Sequence, residues 1–331
     1  MKAIKTDTVV IRPRRAHGNG GDRKKKLKMN EAGSRRKRFK SNIPLFILFI
    51  PIIVFFIVFK YFPMVGLVIA FKNYNFSGGI WGSEWVGLEN FRMLFSNPQT
   101  LSIIRNTVVL SCLGLIIGFP FPILLAILMN DVRRMWFKRT VQTLVYLPHF
   151  LSWVVLGGMV LTIFSIETGI VNHLLQAWFG FSYPFLYKEG SWIAIFIGSG
   201  IWKEAGWGAI IYLAALSGID PSLYEAASID GAGKWKKILN VTLPGILPTI
   251  VMMFILNIGH VMEVGFDQVF MLKNSVVSNI SEVISTYIYR IGLKGAQFSL
   301  STAMGLFESI IGLILVVTAN RIARKFGQGL W

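Results

Sequence analysis

Six stretches of this chain are apolar over the length of a membrane-spanning helix. The first contains no charged residue between Ile43 and Phe59. A helix needs roughly 20 apolar residues to cross a hydrocarbon core about 30 Å thick. Within lipid, the backbone must satisfy its own hydrogen bonds, which favours helices. We therefore predict an all-α, polytopic membrane protein with six transmembrane helices at 43–66, 104–129, 141–165, 191–217, 246–263 and 298–320.

The overall composition agrees with this prediction. Of the 331 residues, 53% are hydrophobic and only 15% are charged, and the mean hydropathy is +0.57. Soluble domains carry about 25% charged residues. Cys112 is the single cysteine, which excludes an intrachain disulfide and a site built from several thiolates.

The net charge of +18 is concentrated at the N-terminus. Residues 1–42 hold fifteen lysines and arginines and three acidic residues, so they contribute +12. A basic run binds nucleic acid in some proteins. Directly before a membrane span, it indicates the cytoplasmic side and contact with anionic lipid. We predict a basic cytoplasmic tail at 1–42 that contacts membrane lipid and not nucleic acid, followed by a membrane domain at 43–331.

The charges of the connecting loops predict the orientation. The 130–140 loop is net +3, and Arg321, Arg324 and Lys325 follow the last span, whereas the 166–190 loop is net −1. An excess of lysine and arginine marks the cytoplasmic side. Both termini and the 130–140 and 218–245 loops are therefore expected in the cytoplasm.

The 218–245 loop is predicted to contain two short helices. Asp220 suits the N-cap and Pro221 the first helical position. Gly231 suits the end of this first helix, because glycine adopts the left-handed conformation cheaply. A second helix is expected at 233–242. It should stop near Leu243, since the residue before a proline disfavours helical geometry.

The same loop carries a recognisable spacing of residues. Glu225-Ala226-Ala227 is followed after three residues by Gly231, and after nine more by Val241-x-Leu243-Pro244. This pattern resembles the EAA motif of ABC-importer permeases, with Val241 in place of the usual isoleucine. The resemblance implies that the loop docks on an ATPase subunit. The coupling residues would be Glu225, Ala226, Ala227, Asp230, Gly231, Leu243 and Pro244.

Further segments resemble the carbohydrate branch of these permeases, in particular the LplB-type polysaccharide and oligosaccharide permeases. They are residues 61–75, 85–91, 266–270 and 284–292. Where many sugar permeases have a Gly-Gly-Pro element, this chain has Leu-Lys-Asn-Ser-Val at 272–276. The resemblance covers about residues 43–325. It implies a type I ABC-importer permease domain at 43–331 in the bacterial cytoplasmic membrane.

The resemblance also implies partners and a non-catalytic role. The partners would be a second, related permease, two ATPase subunits and an extracytoplasmic solute-binding protein. ATP and magnesium would bind to the ATPase subunits, because this chain has no phosphate-binding Gly-rich loop of the Walker type. The four histidines show no metal-binding spacing and no catalytic constellation is evident, so we expect no metal and no cofactor in this chain.

Three charged residues lie inside predicted spans: Lys203, Glu204 and Glu308. A charge within a membrane is costly and normally faces the bundle interior or water. Lys203 and Glu204 are adjacent and cannot share a helix face. We therefore expect Lys203 to pair with Glu308.

A substrate path for sugars needs polar side chains and aromatic rings. Asn257, His260 and Glu263 follow one another at i, i+3 and i+6 along the fifth predicted span. Asn257 and His260 are the polar candidates, and Trp153 and Trp202 are the aromatic ones. The external 264–297 segment is expected to form an amphipathic helix at 279–291 that ends at Gly292. By resemblance, this face would meet the binding protein.

Three alternative functions remain open at this stage. The chain could be an ABC permease for another solute, such as phosphate or amino acids. It could be a secondary transporter or channel that works without ATP. It could also be a membrane-anchored protein that binds nucleic acid or lipid through its basic tail.

Overall fold

The computed structural model describes residues 43–325, together with 327 and 329, and this part of the chain is almost entirely helical. The predicted basic tail at 1–42 lies outside the described residues. The chain divides into two units, residues 1–65 and 66–331. In the first unit, helix α1 (Ile43–Phe56) continues into a π-helical turn at Ile57–Tyr61. A 3-10 segment, Phe62–Phe71, then leads into the second unit.

The second unit contains the remaining elements in the following order: β1 Lys72–Asn73, α2 Gly79–Gly82, β2 Glu84–Trp85, α3 Glu89–Ser96, α4 Pro98–Leu113, a π turn Gly114–Gly118, α5 Pro120–Asn130, α6 Met135–Tyr146, a 3-10 turn Leu147–Phe150, α7 Trp153–Phe164, α8 Ile170–Phe179, α9 Glu189–Ser217, α10 Pro221–Ile229, α11 Lys234–Lys237, a π turn Ile238–Thr242, α12 Leu243–Gly259, α13 Phe266–Leu272, α14 Ser278–Ser281, α15 Ile284–Ile288, a π turn Tyr289–Lys294 and α16 Phe298–Lys325. Strands β1 and β2 form a two-stranded antiparallel hairpin in which Lys72 pairs with Trp85.

Four continuous helices in the described residues are long and apolar enough to cross a membrane: Phe46–Phe71, Pro98–Asn130, Lys234–Gly259 and Phe298–Lys325. A fifth span results if the bent pair Met135–Phe150 and Trp153–Phe164 crosses as one. The fourth predicted span, 191–217, corresponds to α9, which is 29 residues and thus about 44 Å long. Because Lys203 and Glu204 lie in its middle, α9 is less apolar than the four helices named above. The count of six spans therefore remains a prediction.

The third predicted span, 141–165, is not one continuous helix. The chain breaks between Phe150 and Trp153, and the two halves meet at 104°. Ser152 starts the second half as an N-cap, because its hydroxyl accepts a hydrogen bond from the backbone N–H of Val155 at 3.4 Å. Pro148, just before the break, lacks the N–H that a continuous helix would require.

The predicted helix end near Leu243 is wrong. The helix that starts at Lys234 continues through Pro244 and Pro248 to Gly259. A proline inside a helix leaves a carbonyl one turn earlier without its donor, and its ring crowds that carbonyl. Here the π turn Ile238–Thr242 lies directly before Pro244 and widens the helix at this point. The proline is thereby accommodated without a break.

The amphipathic helix expected at 279–291 is also not formed as one piece. Helix α14 ends at Ser281, α15 starts at Ile284, and the π turn after α15 runs past Gly292 to Lys294. This segment is tied to α4, because Asn106 Nδ2 donates to the Asn279 and Glu282 carbonyls at 2.7 and 3.2 Å. Ile284 and Tyr287 are buried in one of the hydrophobic clusters, so this segment is part of the core.

Helix α9 is the central element of the second unit. It packs along α5 and α6 and also contacts α12. Near its N-terminus, Trp192 is fully buried and donates its indole N–H to the Leu272 carbonyl at 2.8 Å. Near its middle, Gly206 lies against the Val145 carbonyl of α6, where a Cβ atom would overlap this oxygen. The absence of a side chain at Gly206 therefore permits the close approach of α6 and α9.

We predict that Gly206→Ala lowers the free energy of unfolding by about 1–3 kcal/mol, because the added methyl group must displace backbone and not a flexible side chain. Gly198→Ala is the matched control, since a Cβ atom at Gly198 in the same helix meets nothing within 4 Å. Thermal unfolding of the purified protein in detergent measures both variants. An equal melting temperature for Gly206→Ala and the control would contradict the close approach.

Candidate functional site

Lys203 is a buried lysine that binds backbone carbonyls and no carboxylate. Its ammonium donates to the carbonyls of Leu151 at 2.6 Å, His149 at 2.7 Å and Pro148 at 3.5 Å. These carbonyls lie at the break between α6 and α7, where the ending helix leaves acceptors without intrahelical donors. A cation also complements the partial negative charge of a helix C-terminus. Lys203 therefore stabilises the bend, and its side chain is only 8% exposed.

The predicted ion pair between Lys203 and Glu308 does not form within residues 43–325. The three carbonyls occupy the ammonium, and Glu308 lies elsewhere, on α16. The sequence showed two opposite charges in spans but gave no sign that a helix break would supply three free acceptors. Such a break is a satisfactory partner for an ammonium, which carries three donors.

Glu204, the next residue of α9, contacts the same turn from another side. Its carboxylate lies 3.0 Å from Nδ1 of His149, whose backbone carbonyl binds Lys203. The imidazole of His149 stacks on the indole of Trp207, with ring centroids 4.5 Å apart and parallel planes. Two adjacent residues of α9 thus hold His149 by both its main chain and its side chain.

A cavity of about 580 Å³ opens beside this arrangement. Its wall is formed by the C-terminal part of α4 with the following π turn, by the middle of α9, and by the end of α12 with the turn that leads into α13. Among the polar and aromatic residues that line it are Ser111, Glu204, Trp207, Tyr212, Asn257, His260, Glu263 and Gln268.

Two of the four predicted path residues lie on this cavity. Asn257 and His260 line it together with Glu263, as their helical spacing suggested, and His260 Nδ1 lies 3.0 Å from the Glu263 carboxylate. Trp202 instead lines a second, mostly apolar cavity of about 440 Å³ between α7 and α9. The ring of Trp153 lies 5.7 Å from the Lys203 ammonium, outside both linings.

The lining residues that sequence reasoning missed include Ser111, Trp207, Tyr212 and Gln268. Trp207 had a usable signal, because it lies one turn after Glu204 and shares its helix face. Gln268 had none, since it reaches the cavity only through the fold of the 264–297 segment. There its Nε2 donates to the Phe196 carbonyl at 2.6 Å and to the Ser199 hydroxyl at 3.2 Å.

The loop between α9 and α12 forms the second part of the candidate site. The Ser222 backbone N–H donates to the Asp220 carboxylate at 2.9 Å, which confirms the predicted N-cap and lowers the pKa of this carboxyl below its usual value. Helix α10 ends at Ile229 as expected, and Gly231 has the left-handed φ of +73° that a C-terminal glycine adopts.

Helix α10 presents most of the predicted coupling residues at the surface. Glu225, Ala226, Asp230 and Gly231 are exposed, Ala227 is half-buried, and Pro244 lies on the continuous helix. Ile229 is 88% exposed and Trp235 is 78% exposed, so the loop also shows apolar side chains. Exposed apolar side chains that cluster on a loop are typical of a protein interface.

Two contacts join α10 to the helix that follows it, and a third joins that helix to the turn before α10. The Tyr224 and Thr242 hydroxyls lie 3.0 Å apart, and Thr242 is buried in the π turn before Pro244. The Lys237 ammonium donates to the Ser228 hydroxyl at 2.7 Å. The side chain of Ile219 packs so closely on Gly245 that a Cβ atom there would lie 2.8 Å from it.

Residues 43–325 contain no cluster of three or more histidine, cysteine, aspartate or glutamate side chains that could hold a metal ion. The polar groups of the cavity are therefore suited to hydrogen bonding. The exposed surface of α10 is suited to contact with another protein.

We predict that Lys203→Met lowers the free energy of unfolding by about 3 kcal/mol, because it leaves the carbonyls at the bend without donors. The control is Glu308→Gln, which we expect to change stability by less than about 1 kcal/mol. Thermal unfolding in detergent measures both. Equal losses in the two variants would instead indicate that the two side chains depend on each other.

The chain matches a known family over most of its length. Residues 118–331 match the family described as the binding-protein-dependent transport system inner membrane component. The polygalacturonan/rhamnogalacturonan transport system permease protein YteP of Bacillus subtilis (strain 168) is 46% identical over 284 residues, which are 86% of this chain and 88% of that protein. Protein LplB of the same organism is 42% identical over 86% of this chain and 89% of that protein.

A solved structure shows the same fold. It is a bacterial alginate ABC transporter in complex with an alginate pentasaccharide-bound periplasmic protein, and one of its chains superposes with a TM-score of 0.82. This chain is 41% identical, and the match covers 88% of our protein and 98% of that chain. The all-α ABC-permease fold predicted from the sequence is thus confirmed. The protein belongs to the family of binding-protein-dependent transport system inner membrane components, and is a membrane permease component and not an enzyme.

Proposed function

We propose that this chain is the permease subunit of an ATP-driven importer. It would form part of the path for an oligosaccharide, and its 218–245 loop would couple transport of the oligosaccharide to ATP hydrolysis. One observation carries this proposal: a single continuous helix, Lys234–Gly259, connects the exposed loop with the cavity. Its 26 residues span about 39 Å. The helix starts beside α10 and ends where Asn257 and His260 line the cavity wall.

The cavity supports an oligosaccharide as the solute. Sugars are bound by hydrogen bonds to their hydroxyl groups and by aromatic rings against their apolar faces. The cavity offers Asn257, Gln268 and two carboxylates for the first, and the indole of Trp207 for the second. The polysaccharides named for YteP and for the alginate transporter are solutes of the same chemical class.

The surface of α10 supports docking on an ATPase subunit. Glu225 is exposed and forms no ion pair within residues 43–325, so it is available to a partner. The adjacent alanines, Ala226 and Ala227, have short side chains that allow a partner to approach the helix closely, and Ile229 supplies apolar area. ATP and magnesium would bind to that partner, because this chain has no phosphate-binding loop of its own.

The proposal includes the assembly and its orientation. A second, related permease would complete the path, two ATPase subunits would bind at the cytoplasmic face, and a solute-binding protein would bind on the other side. The chain would cross the bacterial cytoplasmic membrane six times, with both termini and the tail at 1–42 in the cytoplasm. The alginate transporter crystallised with a periplasmic protein supports the binding-protein partner.

Tyr224 and Thr242 have a positioning role in this proposal. Their hydrogen bond joins the docking helix α10 to the helix that reaches the cavity, at the π turn where that helix is locally widened. A movement of α10 imposed by the ATPase subunits would pass through this contact and through the packing of Ile219 on Gly245. Loss of the hydroxyl pair would weaken coupling without removing the docking surface.

We expect mild-detergent purification from the native membrane to recover the chain with a second EAA-containing permease and an ATPase subunit, as mass spectrometry would show. Glu225→Lys should lose the ATPase subunit and at least about 90% of coupled transport. The reversed charge would repel the partner group that is complementary to the glutamate. Glu167→Lys, an exposed charge reversal after α7, is the control and should keep both.

Recovery of wild-type protein alone, as a stable self-oligomer, would contradict this function and favour a transporter or channel that works without ATP. Wild-type transport by Glu225→Lys would contradict the coupling role of the loop alone.

We expect Tyr224→Phe to keep the ATPase subunit bound but to lower the number of sugar molecules imported per ATP hydrolysed by about threefold, the scale of one hydrogen bond. Thr242→Val should have the same effect, and the double variant should be no worse than either single variant. Parallel uptake and phosphate-release assays in proteoliposomes measure the ratio. Additive losses in the double variant would show that the two hydroxyls act separately.

A further inference from the structure

Both N–H donors of Gln268 on the cavity are engaged within the protein, whereas Asn257 uses one of its two N–H donors there. Asn257 Nδ2 donates to the Met253 carbonyl at 2.7 Å, and Gln268 Nε2 donates to the Phe196 carbonyl at 2.6 Å. A carbonyl only accepts hydrogen bonds, so each amide must turn its nitrogen toward it. Oδ1 of Asn257 and Oε1 of Gln268 remain as acceptors, and neither has a protein donor in the described part of the chain.

The charged groups of the cavity are also acceptors. Glu204 and Glu263 line it, each with one carboxylate oxygen 3.0 Å from a histidine, His149 and His260 respectively. In each pair the carboxylate lies beside the histidine, so neither imidazole presents an unopposed cation to the cavity.

No lysine or arginine is among the described residues that line the cavity. The nearest ammonium in sequence, that of Lys203, is occupied by three carbonyls at the α6–α7 bend. Binding of a carboxylate normally relies on arginine or lysine, or on several backbone donors. This wall offers neither charged group, and it places two carboxylates where an anionic ligand would lie.

The donors of the cavity outside the histidine–glutamate pairs are neutral. The Ser111 hydroxyl is buried on its wall and has no hydrogen-bond partner within residues 43–325. The Tyr212 hydroxyl and the Trp207 indole belong to the same wall. A sugar hydroxyl both donates and accepts, so it satisfies the free carbonyl oxygens and carboxylates as well as Ser111. The carboxylate of a uronic acid accepts only, so at its position the acceptors of the cavity would lack the donor that a sugar hydroxyl supplies.

We infer that this cavity takes uncharged oligosaccharides and discriminates against oligomers of uronic acids. The inference rests on the proposed function and narrows its substrate class. It separates this chain from the named relatives, whose polygalacturonan and alginate are built largely of uronic acids. Within this chain, Glu204 and Glu263 are the residues that set the discrimination, because they supply the repulsion.

The test uses the complete importer, purified with its partner subunits and its binding protein and placed in lipid nanodiscs. The probes are pairs that differ only in charge: tetragalacturonate with its full methyl ester, and tetramannuronate with its full methyl ester, together with gluco-, manno- and xylo-tetraose. ATP hydrolysis is measured over a concentration series. We expect the oligosaccharide concentration that gives half-maximal stimulation to be at least about tenfold lower for the uncharged probes than for the free acids. The carboxylates of the acids would be repelled by those of the cavity.

Variants assign the effect to this cavity and not to the binding protein. Glu204→Gln combined with Glu263→Gln should reduce the preference for an ester over its free acid by about tenfold, because the repulsion is removed while the shape is kept. Asp131→Asn, an exposed acid on the 130–140 loop, is the control and should leave the preference unchanged.

The outcomes separate this inference from the proposed function. Stimulation by free acids at lower concentrations than by the esters overturns the inference and leaves the importer intact. An unchanged preference in the double variant shows that another subunit sets the discrimination, which also overturns it. A complex that responds to no oligosaccharide overturns both the inference and the oligosaccharide as the solute.

Discussion

The arrangement of the cavity depends on the contact between the Lys203 ammonium and the carbonyls at the α6–α7 break. A membrane-spanning protein cannot leave either a lysine or a helix end unpaired at that depth, because water is not there to replace the missing partner. Here each satisfies the other. The contact fixes the 104° bend against α9, and it thereby sets His149 beside Glu204 and Trp207.

A second constraint is the continuity of the helix from Lys234 to Gly259. Pro244 would be expected to end it, but the π turn Ile238–Thr242 absorbs the misfit. The result is one continuous helix whose two ends lie at the exposed 218–245 loop, which we propose as the docking surface, and at a polar cavity. Since Tyr224 binds Thr242 within that π turn, the proposed coupling contact lies where the helix is locally widened.

Much of the site was predictable from local sequence. The cap at Asp220, the helix end at Gly231 and the polar stripe of Asn257 and His260 all depend on neighbours within one or two turns, and all are present. The wrong helix end near Leu243 has a local cause, the π turn before Pro244. The other predictions that were wrong involve distant partners. The ion pair of Lys203 with Glu308, the single helix at 141–165 and the free helix at 279–291 each ignored a contact made across the fold.

The sequence by itself determined that the chain is a helical membrane protein, which loop carries the EAA spacing and to which family it belongs. Hydrophobic length, charge position and motif spacing are properties of residues near one another in the chain. Only the tertiary structure decided which polar groups face a common cavity and which of their donors are already used. Asn257 and Gln268 could serve as donors or acceptors in any sequence reading. The carbonyls of Met253 and Phe196, one from the same helix and one from α9, fix the orientation of both amides and leave Oδ1 of Asn257 and Oε1 of Gln268 as free acceptors in the described part of the chain.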